Sequence, residues 1–182
     1  MPEDLALSDF IPHKWFNFFK QRTIAQTIVL NFVFALIYFA LARLGLALAT
    51  LNHSASPVWP ATGFAIAIIY IFGHRFLFAV ALGAFAANII TAPPFLALIG
   101  ITLGNTLEAL VGPMIIRSVL SYRTKLGIQS ESIAFTAASV FGGIVSATIG
   151  VSSLYITDVV SKNLFVSVWL TWCIGDTLGG LV

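Results

Sequence analysis

The chain alternates long apolar runs with short polar breaks, and this pattern predicts a bundle of membrane helices. The first apolar run begins near residue 23 and contains one charged residue, Arg43. About 20 apolar residues suffice to cross a bilayer as a helix. The pattern predicts about six spans, at residues 24–50, 61–72, 76–90, 95–117, 132–155 and 164–182. The fold class is therefore all-α, a polytopic transmembrane helical bundle.

The second span is unusual because it is short and follows a stretch that cannot be helical. Residues 56–63 read Ser-Pro-Val-Trp-Pro-Ala-Thr-Gly. Each proline lacks a backbone N–H and disfavours helix at the residue before it, whereas Pro60 itself suits a helix start. A span of about a dozen residues crosses only if the preceding break also lies at membrane depth, where protein or a cavity must surround it. We interpret this stretch as the lid of an outward-facing pocket, with Trp59 as its central residue; the alternative is a simple interfacial anchor.

Composition supports the membrane assignment and excludes several function classes. The chain is 59% hydrophobic and 9% charged, whereas a soluble domain carries about a quarter charged residues. The basic residues are scattered at the ends of apolar runs, so no nucleic-acid partner is expected. The single cysteine, Cys173, excludes an internal disulfide, and three widely separated histidines make a metal site improbable. No familiar catalytic motif occurs, so the prediction is no enzyme, no cofactor and no metal in this chain.

Charge placement predicts the orientation of the bundle. If the N-terminus is cytoplasmic, seven basic residues face the cytoplasm and only Lys162 lies in an outer loop, as the positive-inside rule requires. The seven are Lys14, Lys20, Arg22, Arg75, Arg117, Arg123 and Lys125. Residues 1–22 form a cytoplasmic segment whose aromatic and basic stretch suits the membrane surface; a disordered tail is the alternative. Residues 23–182 form the transmembrane domain, and we expect further chain beyond it because no charged anchor closes the last run.

Ionisable residues within spans are costly in lipid and usually face the bundle interior or line a pathway. Glu108 and Asp176 fall at similar depths, near the bilayer centre, and Asn105 shares a helix face with Glu108. The candidate ligand-binding residues are Trp59, Pro60, Asn88, Asn105, Glu108, Trp172 and Asp176, with Arg43 as an intramembrane charge partner. A purely structural role in fixing helix register is the main alternative, and a proton or cation relay is another.

Small residues repeat every four positions in the last three spans. They are Gly100 and Gly104, then Gly142, Ser146 and Gly150, then Gly175 and Gly179. Such stripes let membrane helices approach closely. Spans four, five and six are therefore predicted to be neighbours.

Five blocks of the sequence, taken in order, resemble the membrane-associated sensor domain of the first type (the MASE family). They are residues 42–46 (Ala-Arg-Leu-Gly-Leu), 57–63 (Pro-Val-Trp-Pro-Ala-Thr-Gly), 82–88 (Leu-Gly-Ala-Phe-Ala-Ala-Asn), 104–110 (Gly-Asn-Thr-Leu-Glu-Ala-Leu) and 172–179 (Trp-Cys-Ile-Gly-Asp-Thr-Leu-Gly). The resemblance implies a bacterial inner-membrane input module of about eight spans, fused at its cytoplasmic end to a histidine kinase or to a diguanylate cyclase or phosphodiesterase.

This resemblance implies a sensor in two-component or cyclic-di-GMP signalling. Its partners would be the lipid bilayer, an unknown small ligand or membrane protein, the cytoplasmic output module and a second copy of the chain in a homodimer. Broken helices and mid-membrane carboxylates also occur in transporters, so a transporter or substrate-binding membrane subunit is the alternative. A purely structural anchor is the third reading.

Overall fold

The computed structural model describes residues 23–48, 56–91, 93–121 and 130–181. The helices are α1 (Ile24–Ala47), α2 (Pro60–Phe72), α3 (Leu77–Ile89), α4 (Phe95–Ser121), α5 (Ser130–Ile156) and α6 (Lys162–Leu181). A short 3-10 turn, His74–Phe76, joins α2 to α3, and no strand occurs in these ranges. The predicted all-α bundle of about six helices is confirmed. The predictions for residues 1–22 and for Arg123 and Lys125 lie outside the described residues.

The exposed surface of the bundle is apolar. Helices α1, α4, α5 and α6 are long and apolar enough to cross a membrane, and α2 and α3 are shorter apolar helices. Large side chains such as Ile24, Leu36 and Phe95 are more than two-thirds exposed. This much exposed apolar surface suits hydrocarbon rather than water. The chain is a multi-pass membrane protein.

The ends of the first two helices follow from local sequence. Thr23 and Gln26 form a capping box at the start of α1, in which each side chain accepts the other's backbone N–H. Helix α2 begins at Pro60, as the sequence predicts, and ends at Phe72, with Gly73 as its C-terminal cap. The φ of Gly73 is +88°, which a side chain would disfavour. The chain can therefore reverse direction sharply between α2 and α3.

Helix α5 lies between α4 and α6 and packs on both. On the α4 side, Gly104 lies against the backbone of Ser146. On the α6 side, Gly150 lies against the ring of Trp172. The prediction that small residues make these three helices neighbours is confirmed, with α5 as the shared partner.

Helix α1 packs against α3, and one buried amide on α1 bonds to the start of α3. Gly83 lets α3 approach the carbonyl of Ala35 and the ring of Tyr38 on α1. The Asn31 amide donates to the carbonyl of Arg75 at 3.3 Å and accepts from the backbone N–H of Ala79 at 3.1 Å. Asn31 therefore satisfies one of the N–H groups that the first turn of α3 leaves unpaired.

The Pro/Trp stretch crosses α6 inside the bundle. The backbone N–H of Trp59 donates to the carbonyl of Gly175 at 2.9 Å, and the Trp59 carbonyl lies directly on Gly179. The Ser56 carbonyl lies directly on Gly175. These two glycines serve an extended backbone segment, and not only helix–helix packing as their spacing alone suggested. Helix α2 therefore starts beside the C-terminal third of α6, where Gly175 and Gly179 lie.

Candidate functional site: a buried carboxyl pair in the helix bundle

Two carboxyl groups from different helices converge on one hydroxyl in the bundle interior. Thr62, in the first turn of α2, lies with its Oγ1 3.2 Å from Oε2 of Glu108 and 3.3 Å from Oδ1 of Asp176. All three side chains are about 1% exposed. The second oxygen of each carboxyl group, Oε1 of Glu108 and Oδ2 of Asp176, is buried without a hydrogen-bond partner. The sequence prediction that Glu108 and Asp176 lie at one depth agrees with this meeting point.

Two adjacent glycines on α5 make room for the carboxyl groups. A Cβ on Gly142 would lie 3.2 Å from Cγ of Glu108, and a Cβ on Gly143 would lie 3.1 Å from Cβ of Asp176. Both separations are too short for comfortable packing. The glycine pair therefore lets α5 carry both acidic side chains against its surface, on the side of the site opposite α2.

Ser146 and Trp172 border the pair. The indole Nε1 of Trp172 donates to Oγ of Ser146 at 3.2 Å. The Ser146 hydroxyl lies beside both Glu108 and Asp176. Trp172 was a sequence candidate, and the structure brings it to the site through this serine.

A second polar group adjoins the pair from α1. The hydroxyl of Tyr38 donates to Oδ1 of Asn105 at 2.8 Å, and the Asn105 amide donates to the carbonyl of Ile101 in its own helix at 2.8 Å. Tyr38 is 1% exposed, and its hydroxyl lies close to Trp59. Asn105, another sequence candidate, therefore connects α1 to α4 one helical turn from Glu108.

Trp59 is buried within this layer. Its ring packs on Gly45 of α1, and its indole N–H is buried without a partner. Because its backbone bonds to Gly175, the residue next to Asp176, Trp59 lies at the level of the carboxyl pair. The expectation of a lid above the pocket is therefore corrected. The prolines keep the segment before Pro60 out of a helix. The glycines of α6 leave room for this extended backbone inside the bundle, so Trp59 does not lie at its surface.

Three other sequence candidates, Asn88, Pro60 and Arg43, lie apart from the pair. Asn88 is buried, and its amide donates to the carbonyl of Ala84 in its own helix. Pro60 lines an open groove of about 570 Å³ between α2, α5 and the end of α6, together with Phe64, Phe135 and Leu181.

Arg43 is half-buried on α1. The free oxygens of Glu108 and Asp176 have no partner, and their other oxygens bond to Thr62. An ion pair between Arg43 and either carboxyl group is therefore not formed in the described part of the chain.

Sequence reasoning missed Thr62, Ser146 and Tyr38. Threonine and serine are common in membrane helices, where they bond to their own backbone, so neither stood out by type. One signal existed for Thr62, because it lies two residues after Pro60, in the first turn of a helix that a proline begins, where a hydroxyl can face other elements. Tyr38 was detectable as a polar-tipped residue in the middle of an otherwise apolar run.

The electrostatics of the site are unusual for a membrane interior. Among the described residues, no Lys, Arg or His is buried. The nearest fixed positive field comes from the start of α2, because a helix N-terminus carries about half a unit of positive charge. No group of three metal-ligating side chains occurs in the ranges that the structure describes. The arrangement can hold a proton or engage a polar ligand.

Comparison with known proteins gives one match. The family model MASE1 matches residues 30–182. No curated protein and no solved structure matches the chain.

Proposed function

The chain belongs to the MASE1 family of membrane sensory input domains, and we propose that it detects its stimulus at the buried carboxyl pair. The stimulus would be a small polar ligand or a contact from a partner membrane protein. The proposal rests on one observation: Glu108 Oε1, Asp176 Oδ2 and the indole N–H of Trp59 are buried without hydrogen-bond partners.

Unpartnered polar atoms are expensive in a dry interior. Leaving one buried donor or acceptor unpaired costs about 1–3 kcal/mol, and more for a charged group. Proteins keep such atoms mainly where they serve a function. A ligand or partner that pairs with these three atoms would recover this free energy and would favour the conformation that presents them.

Helix α2 is suited to carry the response away from the site. It begins at the carboxyl pair and ends at Phe72, beside the turn to α3. The predicted orientation puts that turn at the cytoplasmic face. A ligand shifts a two-state equilibrium only by its difference in affinity for the two states. A stimulus that changes the contacts of Thr62 would therefore shift α2 and the position of its cytoplasmic end.

The proposed setting is the inner membrane of a bacterium, with the N-terminus in the cytoplasm. A histidine kinase or a cyclic-di-GMP enzyme would follow the transmembrane domain as its output, and two copies would form a homodimer. In this proposal residues 1–22 lie in the cytoplasm, and residues 23–182 form the sensory domain.

The test is the signalling output of the full-length protein with the acidic residues neutralised. Glu108→Gln and Asp176→Asn keep the shape of each side chain and replace its carboxyl group with an amide. Asp158→Asn is the matched control, because Asp158 is exposed in the α5–α6 loop and its φ of +59° suits asparagine equally well. We expect a changed output in both site variants and an unchanged output in the control. Unchanged output from both site variants, at wild-type abundance in the membrane, would refute the proposal.

A broken helix beside buried carboxyl groups also favours transport as a second candidate function. The observation behind it is that α2 begins inside the bundle. The chain reconstituted in liposomes separates the two functions. Acidification of the lumen driven by an imposed proton or ion gradient would support transport, and its absence would support sensing.

A further inference from the structure

We propose that Glu108, Thr62 and Asp176 form a proton-binding site, in which one carboxyl group is protonated and hydrogen-bonds to the other through the Thr62 hydroxyl. The inference concerns the resting state of the bundle. It stands whether or not the chain binds a ligand or transmits a signal.

The first argument is a count of hydrogens. The Thr62 hydroxyl has one hydrogen and two lone pairs. It lies within hydrogen-bond distance of Oε2 of Glu108 and of Oδ1 of Asp176. It can donate to only one of them, and a carboxylate has no hydrogen to offer in return. Both contacts are hydrogen bonds only if one carboxyl group carries a proton and donates it to Thr62.

The second argument is the balance of charge. Moving an ionised carboxyl group into a protein interior costs several kcal/mol even after relaxation. Two such groups at one hydroxyl would also repel each other, and paired carboxyl groups at this range typically share one proton. Among the described residues, no cationic side chain is buried beside them. The positive end of α2 offsets part of one negative charge, which leaves the second to be neutralised.

The third argument comes from the oxygens that have no partner. Oε1 of Glu108 and Oδ2 of Asp176 are fully enclosed, and no described donor reaches them. Of the described hydroxyls near both groups, that of Ser146 has one hydrogen to give, whereas that of Tyr38 is donated to Asn105. The indole N–H of Trp172 also borders Asp176, but it is donated to Ser146. Two hydroxyl hydrogens are therefore left for four carboxyl oxygens, which suits a protonated pair much better than two carboxylates.

The remaining groups near the pair do not supply a positive charge that would balance a second carboxylate. From α1, the Tyr38 hydroxyl lies near both carboxyl groups but donates its hydrogen to Asn105. From α6, the Cys173 thiol faces them and points to the carbonyl of Gly143. Arg43 bonds to neither carboxyl group, as described above. A bound proton is therefore the simplest occupant that fits the geometry.

A direct consequence concerns the packing of three helices. The protonated hydrogen-bond chain through Thr62 joins α2, α4 and α6 at one point, although α4 and α6 each pack mainly on α5. Loss of the proton would leave two like charges on either side of Thr62. The helices would then separate at this level or admit water.

Infrared spectroscopy of the purified full chain in lipid nanodiscs tests the proposal. A protonated carboxyl group has a carbonyl stretch above the amide band, and this stretch shifts to lower frequency in D₂O. At neutral pH we expect this band in the wild type, its persistence in Asp158→Asn and its loss in the double variant Glu108→Gln/Asp176→Asn. Lipid ester carbonyls absorb in the same region but carry no exchangeable proton, so only the part of the band that shifts in D₂O is assigned to protein. Of the seven acidic residues, only these two lie in predicted spans.

Three results would overturn the proposal. They are absence of the band in the wild type, its survival in the double variant, and its disappearance when sodium replaces potassium at constant pH. The last result would identify a sodium ion as the occupant. The wild-type measurement decides the question alone if the double variant does not fold.

Discussion

Thr62 has the most consequential side chain in the bundle, although nothing in its residue type marks it. It provides the hydroxyl at which α2, α4 and α6 meet. Its neighbours Glu108 and Asp176 were identifiable from the sequence because charges within apolar runs are rare. Thr62 was marked only by its position two residues after Pro60. Its contacts depend on where the preceding break places the start of α2, and that placement is a tertiary feature.

Thr62→Val tests this role directly. Valine keeps the shape of threonine and removes the hydroxyl, so two buried carboxyl groups lose their shared partner. We expect a loss of about 1–3 kcal/mol in unfolding free energy, measured as a lower thermal midpoint in detergent. Thr102→Val is the matched control on α4, because the Thr102 hydroxyl bonds only to the carbonyl of Leu98 in its own helix. Equal effects of the two substitutions would contradict a special role for Thr62.

Trp59 combines a packing role with an unused donor, and one substitution separates them. Trp59→Phe keeps an aromatic ring against Gly45 and removes the unpartnered N–H. We expect a change in unfolding free energy of less than about 1.5 kcal/mol together with an altered signalling response of the full-length protein. A normal response at normal stability would show that the indole N–H has no part in sensing.

At the scale of elements, the departure from expectation lies in α2. The sequence predicts its start at Pro60 and its short length, and both are confirmed. It does not predict that the segment before it lies on α6. Glycines spaced four apart indicate a close approach, but they do not say whether a helix or an extended strand of backbone approaches. In this protein hydrogen bonding favours an extended segment, because the backbone N–H of Trp59 needs an acceptor and the Gly175 carbonyl provides it.

Gly179→Ala is the corresponding test. A methyl group at Gly179 would collide with the carbonyl of Trp59. Since backbone cannot rotate away as a side chain can, we expect a destabilisation of about 1–3 kcal/mol. Leu178→Ala, on the exposed side of the same turn, controls for general sensitivity of the end of α6. In a helix without this contact, Gly→Ala stabilises by about 1 kcal/mol, so a raised thermal midpoint would disprove the crossing.

At the scale of the whole molecule, the bundle and its helix order followed from hydrophobic pattern, because lipid permits few alternatives to helices. The orientation followed from basic residues and stays a prediction.

Cysteine labelling in intact cells tests the orientation, in a Cys173→Ser background. Ser161→Cys, in the α5–α6 loop, should react with a membrane-impermeant thiol reagent, and His74→Cys should react only after lysis. Both positions are exposed. The reverse pattern would place the N-terminus outside.

The crossing of α6 by the Pro/Trp stretch also has a consequence for biosynthesis. The break and α2 are translated early, whereas their partners Gly175 and Gly179 emerge only with the last helix. Until then, the backbone N–H of Trp59 lacks its acceptor, the Gly175 carbonyl, in a medium that offers no water. The early helices must therefore wait at the translocon or the membrane surface, and completion of the fold depends on the arrival of α6. In chains on ribosomes stalled before residue 175, a protease should cleave the first half of the chain. This half should become resistant to the protease once α6 is released from the ribosome.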